Sequence, residues 1–155
     1  TFADAINQFV GIGYIGNLPV DRISIAADDL NGDSKPDLAI ADTQTGQVTI
    51  LLANGDGTFA TPVHHAAGTS PSSLVVADLD SDGRPDLVVT NLWDGKVSVL
   101  RNSGDGGFDP PVEHTVGKNP VAVEVADLND DGTPDLAIAN PYDASVSVLL
   151  GACRP

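Results

Sequence analysis

The sequence has few basic residues, no methionine and little aromatic content. Lysine and arginine together number 7 against 22 aspartate and glutamate residues, which gives a formal net charge of -15. A chain of this charge repels nucleic acid and anionic membrane surfaces, because proteins bind both through basic side chains. We therefore expect no nucleic-acid partner, and we expect cations to be the natural partners.

Cysteine and long apolar runs are scarce as well. Cys153 is the single cysteine, so an intrachain disulfide framework is excluded and the redox compartment is left open. No apolar run approaches the roughly 18 residues that span a bilayer, and the first residues lack a signal-peptide pattern. We expect no membrane insertion. Beginning at Thr1 in mid-pattern, the chain is either a processed product or part of a longer protein.

The residues that are abundant favour short strands joined by turns. Hydrophobic residues make up 41% of the chain, beside 16 glycines and 11 prolines. The segment 78–87, DLDSDGRPDL, recurs as DLNGDSKPDL at 29–38 and as DLNDDGTPDL at 127–136, and both steps are 49 residues. Within one period the segments 74–77, 86–90, 96–101 and 108–115 have the length and β-branched content of strands. A period of about 40–50 residues with four short strands is typical of a propeller blade.

We therefore predict an all-β fold of β-propeller blades, each a four-stranded antiparallel sheet, with residues 1–155 forming one propeller unit. The repeats are placed at about 22–70, 71–119 and 120–155, and residues 1–11 are predicted to be an orphan outer strand. Closed propellers have about four to eight blades, so three repeats predict a partial ring or half of an oligomeric propeller. In the second case two chains form a six-bladed ring, each donating its strand at Phe2 to the incomplete third blade of the other.

Each repeat contains an acidic loop with Asp or Asn at its positions 1, 3, 5 and 9. Calcium takes six to eight oxygen ligands, and short carboxylates at alternate positions converge on one ion when the loop curls around it. The predicted side-chain ligands are Asp29, Asn31, Asp33 and Asp37 in the first loop, Asp78, Asp80, Asp82 and Asp86 in the second, and Asp127, Asn129, Asp131 and Asp135 in the third. Position 7 contributes its backbone carbonyl, from Lys35, Arg84 and Thr133. We predict about three calcium ions.

The alternative interpretation of these loops is that they are solvated, Asp-rich β-turns. Against it, carboxylates a few ångströms apart repel by about 1 kcal/mol per pair even in water, and the ligand-like spacing occurs three times. Position 6 needs a positive φ, which Gly83 and Gly132 supply without strain. The first loop has Ser34 there, so we expect this site to be the weakest or most distorted.

The three acidic loops resemble the FG-GAP/VCBS repeats of integrin-α-like β-propellers, which contain the motif D-x-[DN]-x-D-G-x-P-D-L between the first and second strands of a blade. The resemblance covers nearly the whole chain. It implies structural calcium ions in the first-to-second-strand loops, on the face away from the ligand-binding one. It also implies a full ring of about seven blades, which this chain does not supply, and Ser34 departs from the motif.

The loops between second and third strands are predicted to lie on the face opposite the metals. An aromatic ring beside an amide and a carboxylate suits a sugar or a protein partner. The candidate ligand-binding residues are Asn91, Trp93, Asp94, Asn140, Tyr142 and Asp143. The alternative is that the asparagines satisfy turn backbones while the two aromatic residues pack between blades.

Catalytic motifs are absent from the sequence. There is no nucleophile elbow, Cys/His pair, His-rich metal set or phosphate loop, and His65 and His114 are equivalent positions of the repeat. We therefore expect no enzyme, but a secreted, lectin-like or integrin-like module that recognises a protein or carbohydrate, since such loops suit extracellular calcium. The alternative is a structural or accessory propeller fragment of a larger, secreted protein with catalytic domains of its own.

Overall fold

The structure is a computed structural model that describes residues 23–151, so the strand predicted at 1–11 lies outside the described residues. The strands are β1 (Ile23–Asp28), β2 (Asp37–Asp42), β3 (Gln47–Leu51), β4 (Val63–Ala66), β5 (Pro71–Ala77), β6 (Asp86–Asn91), β7 (Lys96–Leu100), β8 (Asn102–Gly104), β9 (Gly107–Phe108), β10 (Val112–Thr115), β11 (Ala122–Ala126), β12 (Asp135–Asn140) and β13 (Ser145–Leu149). One short 3-10 helix, Pro141–Asp143, precedes β13. No helix within this range is long and apolar enough to cross a bilayer.

The strands form three successive antiparallel sheets. The first sheet has the order β1-β2-β3-β4, the second β5-β6-β7-β10, and the third β11-β12-β13, while β8 and β9 form a separate small hairpin. The first strands of neighbouring sheets contact each other, β1 with β5 and β5 with β11. This arrangement confirms the predicted all-β fold of four-stranded antiparallel blades, while the exact repeat boundaries stay a prediction.

The outer strand of the second blade is shorter than the sequence predicts. The segment 108–115 was expected to be one strand, but Phe108 belongs to the small hairpin and β10 begins at Val112. Pro110 and Pro111 separate the two pieces. Proline has no N–H to donate to a ladder, so pairing cannot continue through these residues.

The core consists of two apolar layers, one at each junction between sheets. Successive side chains of a strand point to opposite faces, and β6 uses both faces: Leu87 and Val89 pack in the layer shared with the first sheet, and Val88 in the layer shared with the third. In β7, Leu100 belongs to the first of these layers and Val97 to the second. The middle blade is therefore covered on both sides, which explains why the centre of β6, Leu87–Val89, is an uninterrupted apolar run.

The antiparallel order also separates two sets of loops. The connections β1–β2, β5–β6 and β11–β12 contain the acidic loops, and they lie at one end of the strands. The connections β2–β3, β6–β7 and β12–β13 lie at the other end, together with the links between sheets. The predicted division into a metal face and an opposite face follows from this topology.

Candidate metal loops and the opposite face

The three acidic loops have a common curl, held by the aspartate at position 1. In every loop its carboxylate accepts the backbone N–H groups of positions 5 and 6, at N···O distances of 2.7–3.2 Å. These aspartates are Asp29, Asp78 and Asp127. Each of them therefore organises the loop backbone whether or not an ion is bound.

Two residues with positive φ bend each loop. At position 6 the φ values are 66° at Ser34, 83° at Gly83 and 82° at Gly132. Position 4 is left-handed as well, with φ values of 78° at Gly32, 60° at Ser81 and 59° at Asp130. Each loop thus has one glycine and one non-glycine in this region, and Gly32 offsets the strain at Ser34. The backbone of the first loop is therefore no more strained than that of the other two, while its rank as the weakest site stays a prediction.

Position 9 is buried and bridges two distant backbone segments. Asp37 is 0% exposed, and its two oxygens accept the N–H groups of Leu30 at 3.0 Å and Ala53 at 2.7 Å. The equivalent carboxylates have the same pairs of partners: Asp86 with Leu79 and Asn102, and Asp135 with Leu128 and Gly151. This aspartate fastens the loop to the segment that follows the third strand, a role that the metal prediction had missed. A sequence signal existed, since an Asp is otherwise unexpected at the start of a buried strand.

The side chains at positions 5 and 7 contact each other. Lys35 Nζ lies 3.0 Å from Asp33 Oδ2, Arg84 pairs with Asp82, and the Thr133 hydroxyl donates to Asp131. The hydrogen bond from the Lys35 side chain is the largest influence that lowers the pKa of Asp33, and the one from the Thr133 side chain likewise lowers the pKa of Asp131. Both carboxylates are therefore ionised at neutral pH, as metal ligands must be.

The oxygens of the second loop fit a divalent cation. Asp78, Asp80 and Asp86 each offer a carboxylate oxygen, and these three oxygens lie within 4.8 Å of one another. Two oxygens at about 2.4 Å from a calcium ion are at most about 4.8 Å apart, so the cluster has the right size. At position 3 of the other loops, the amide oxygens of Asn31 and Asn129 accept the N–H of position 5 at 2.9 and 3.0 Å. Oxygen donors alone suit calcium better than a transition metal.

On the opposite face, the two candidate asparagines are buried. Asn91 is 0% exposed and donates from Nδ2 to the Ala67 carbonyl at 3.2 Å and to Ser98 Oγ at 2.8 Å. Asn140 is 1% exposed, and its Nδ2 donates to Ser147 Oγ at 2.9 Å. Their assignment to a ligand surface is therefore wrong. Asn91 instead bonds the link between the first two sheets and Asn140 bonds serines of its own sheet, whereas the alternative interpretation had both satisfy turn backbones.

The aromatic residues of the same turns are exposed. Trp93 is 78% and Tyr142 72% exposed, so neither ring packs between two blades of the described part of this chain, as the alternative would have it. Lys118 lies in the link before the third sheet, and its side-chain Nζ is 5.7 Å from the centre of the Tyr142 ring. Its backbone N–H donates to Asp143 Oδ2 at 2.6 Å. The Tyr142 turn and this link thus form one continuous exposed surface.

Comparisons with known proteins agree with this architecture. A family model described as FG-GAP-like repeat matches residues 29–89 and 78–138. A solved structure of a mutant Tc holotoxin pore from Photorhabdus luminescens is similar, with a TM-score of 0.56 and 20% identity, over 84% of this chain and 6% of that chain. At this identity the likeness shows the fold alone. A comparison with curated protein sequences finds no match.

Proposed function

The chain belongs to the FG-GAP-like repeat family, and from this premise we propose that it is a calcium-stabilised, non-catalytic propeller module for extracellular recognition of a protein or carbohydrate. One observation carries the metal part of the proposal: three loops, 49 residues apart, share one backbone curl and present oxygen donors in the same order. The bound ion supplies positive charge, which offsets the repulsion among the carboxylates of positions 1, 3, 5 and 9.

Calcium binding is tested by titration calorimetry on protein freed of metal with a chelator. We expect binding heat and a higher melting temperature with calcium, because an ion that binds only the folded state stabilises it by about 2.7 kcal/mol at 100 times its Kd. Asp131→Asn should weaken binding at the third loop, because it removes one ligand charge while an amide oxygen remains. Asp56→Asn is the matched control, since Asp56 is an exposed turn carboxylate outside the acidic loops. Identical melting curves in calcium and in chelator would refute the proposal.

We assign ligand recognition to the exposed side chains Trp93, Asp94, Tyr142 and Asp143. An exposed indole or phenol ring beside a carboxylate offers a stacking surface and a hydrogen-bond acceptor, which suits a sugar or a protein anchor. The test is a glycan array and a pull-down with a Trp93→Ala/Tyr142→Ala variant. Binding by the native protein that the variant loses, with no change in melting temperature, would support the proposal. Equal binding by both proteins would contradict it.

A second copy of the chain is the proposed partner for the outer face of the third sheet. Val146 and Val148 on β13 are 66% and 50% exposed, whereas their repeat equivalents Val97 and Val99 are 0% and 7% exposed, packed against the next blade. This face therefore has the apolar chemistry of a junction between blades. The proposed assembly is a six-bladed ring of two chains, with the donated strand at Phe2 lying outside the described residues. Light scattering that shows a monomer at micromolar concentration would contradict it.

The competing function is an accessory propeller fragment of a larger protein, which itself has catalytic or other activity. The observation that favours it is the similarity to the Tc holotoxin pore, in which the matched region is 6% of the chain. Extracellular location is proposed from the metal, because loops of this kind suit millimolar calcium. Binding by the isolated chain to a glycan or protein would favour the recognition module over the accessory fragment.

A further inference from the structure

The second acidic loop contains a charged pair where the other two loops have a neutral one. Position 3 of this loop is Asp80, and the residue 21 positions later is Arg101. The equivalent pairs are Asn31 with Leu52 and Asn129 with Leu150. Only the second repeat therefore has an aspartate and an arginine at these two positions.

The two charges meet at the candidate metal cluster. One terminal nitrogen of Arg101 lies 2.6 Å from Asp86 Oδ2 and 3.2 Å from Asp80 Oδ2. Both carboxylates belong, with Asp78, to the group whose oxygens lie within 4.8 Å of one another. The side chains of Asp86 and Asp80 are 2% and 14% exposed, so solvent screens this pair less than it screens an ordinary surface ion pair.

We propose that Arg101 is a tethered cation that competes with calcium for the second loop. A guanidinium group so close to Asp80 and Asp86 repels a divalent ion bound to the same carboxylates, so the arginine must leave before the ion enters. The second loop is accordingly the weakest of the three calcium sites, and it keeps its shape without metal. This inference rests on the proposed calcium binding, and it replaces the expectation that the Ser34 loop is the weakest.

The number of basic side chains at each loop supports the same ranking of calcium affinity. The first loop has one, Lys35, which pairs with Asp33. The second loop has two, since Arg84 pairs with Asp82 and Arg101 pairs with Asp86. Among the described residues, no ion pair involves the third loop. We therefore expect the third loop to bind calcium most tightly.

The experiment is a calcium titration of isotopically labelled protein followed by NMR. The backbone amides of Gly83 and Gly132, at position 6 of the second and third loops, report the two sites separately. We expect Gly132 to respond at a calcium concentration at least about tenfold lower than Gly83, a ratio usual for coupled binding. In Arg101→Leu the Gly83 response should move to the range of Gly132.

Two further variants guard against misfolding and against a purely structural role. Asp80→Asn/Arg101→Leu restores the neutral pair of the other loops, and it should keep the fold while removing the competition. Asn129→Asp/Leu150→Arg transplants the charged pair into the third loop, where it should weaken the response of Gly132 by about the same factor. In chelator, Arg101→Leu alone should lower the melting temperature, since it leaves Asp80 and Asp86 without their cation, and the double variant should recover it.

The outcomes separate the competition from the calcium proposal. If Gly83 and Gly132 respond at the same concentration and Arg101→Leu changes neither, the competition is refuted while calcium binding stands. If neither amide responds at any calcium concentration, calcium binding is refuted and the competition with it. A tenfold separation that Arg101→Leu abolishes supports both.

Discussion

Replacing Asp37 with alanine is expected to destabilise the protein even when no calcium is present. The buried carboxylate accepts the N–H groups of Leu30 and Ala53 at 3.0 and 2.7 Å, and Leu30 is 1% exposed. A hydrogen bond to a charged group contributes about 1.5–3 kcal/mol, so losing two costs about 3–6 kcal/mol. For a domain of this size each kcal/mol shifts the melting temperature by about 2–4 °C, which predicts a drop of about 6 °C or more.

The assay is thermal and urea unfolding in chelator, followed by far-UV circular dichroism. Asp33→Ala is the matched control, because Asp33 is a predicted ligand of the same loop, but it is exposed and bonds only within the loop. It should leave unfolding in chelator nearly unchanged, because exposed ion pairs contribute little, and it should weaken calcium binding at the first loop. If Asp37→Ala were as stable as Asp33→Ala without calcium, position 9 would be a metal ligand only, and the bridging role would be refuted.

Three further predictions concern other residues. Burial, and to a lesser extent the neighbouring charge of His64, lowers the pKa of His65. The unfolded chain therefore binds a proton at this histidine more tightly than the folded chain does. Stability should accordingly fall as the pH drops below about 6.5. The loss should disappear in His65→Leu and persist in the control His114→Leu, as measured by melting temperature against pH. Trp93→Ala should change stability by less than about 0.5 kcal/mol, because the ring is 78% exposed; a larger loss in urea unfolding would indicate packing. Gly117→Ala should lower the free energy of unfolding by about 1–3 kcal/mol, because the added Cβ would lie 2.6 Å from Cγ of the buried Asn140. A variant that unfolds at the same urea concentration as the wild type would contradict this prediction.

Polar side chains have different kinds of partners at the two ends of the strands. At the acidic-loop end, the aspartate at position 1 of each loop bonds partners within five residues, as between Asp29 and Ser34, and Asp37 at position 9 anchors the loop to Ala53. At the opposite end, the buried Asn91 bonds the link to the preceding blade, and a Cβ on Gly68 of that link would lie 2.4 Å from the Asn91 amide nitrogen. The acidic-loop face is therefore suited to an ion. On the opposite face, exposed aromatic side chains lie beside buried, tightly packed polar residues.

The sequence by itself determined the repeat, the strand content and the curled acidic loops. These features depend on short-range physics: side-chain alternation within a strand, positive φ at chosen positions and Asx hydrogen bonds over a few residues. Because each unit recurs after 49 residues, three weak local signals reinforce one another. This is why β6 (Asp86–Asn91) and the second loop were predicted close to their observed bounds.

Only the tertiary structure decided which polar residues are buried and what they contact. Asp37 reaches Ala53, Asn91 reaches Ala67, and Arg101 reaches Asp80, partners 16 to 24 residues away that no local pattern specifies. Burial on the opposite face was equally invisible, because an asparagine in a turn has the same sequence context whether it faces solvent or a neighbouring blade. Pairing of distant strands within one sheet fixes the Asp37 and Arg101 contacts, and packing of one sheet on the next fixes the Asn91 contact.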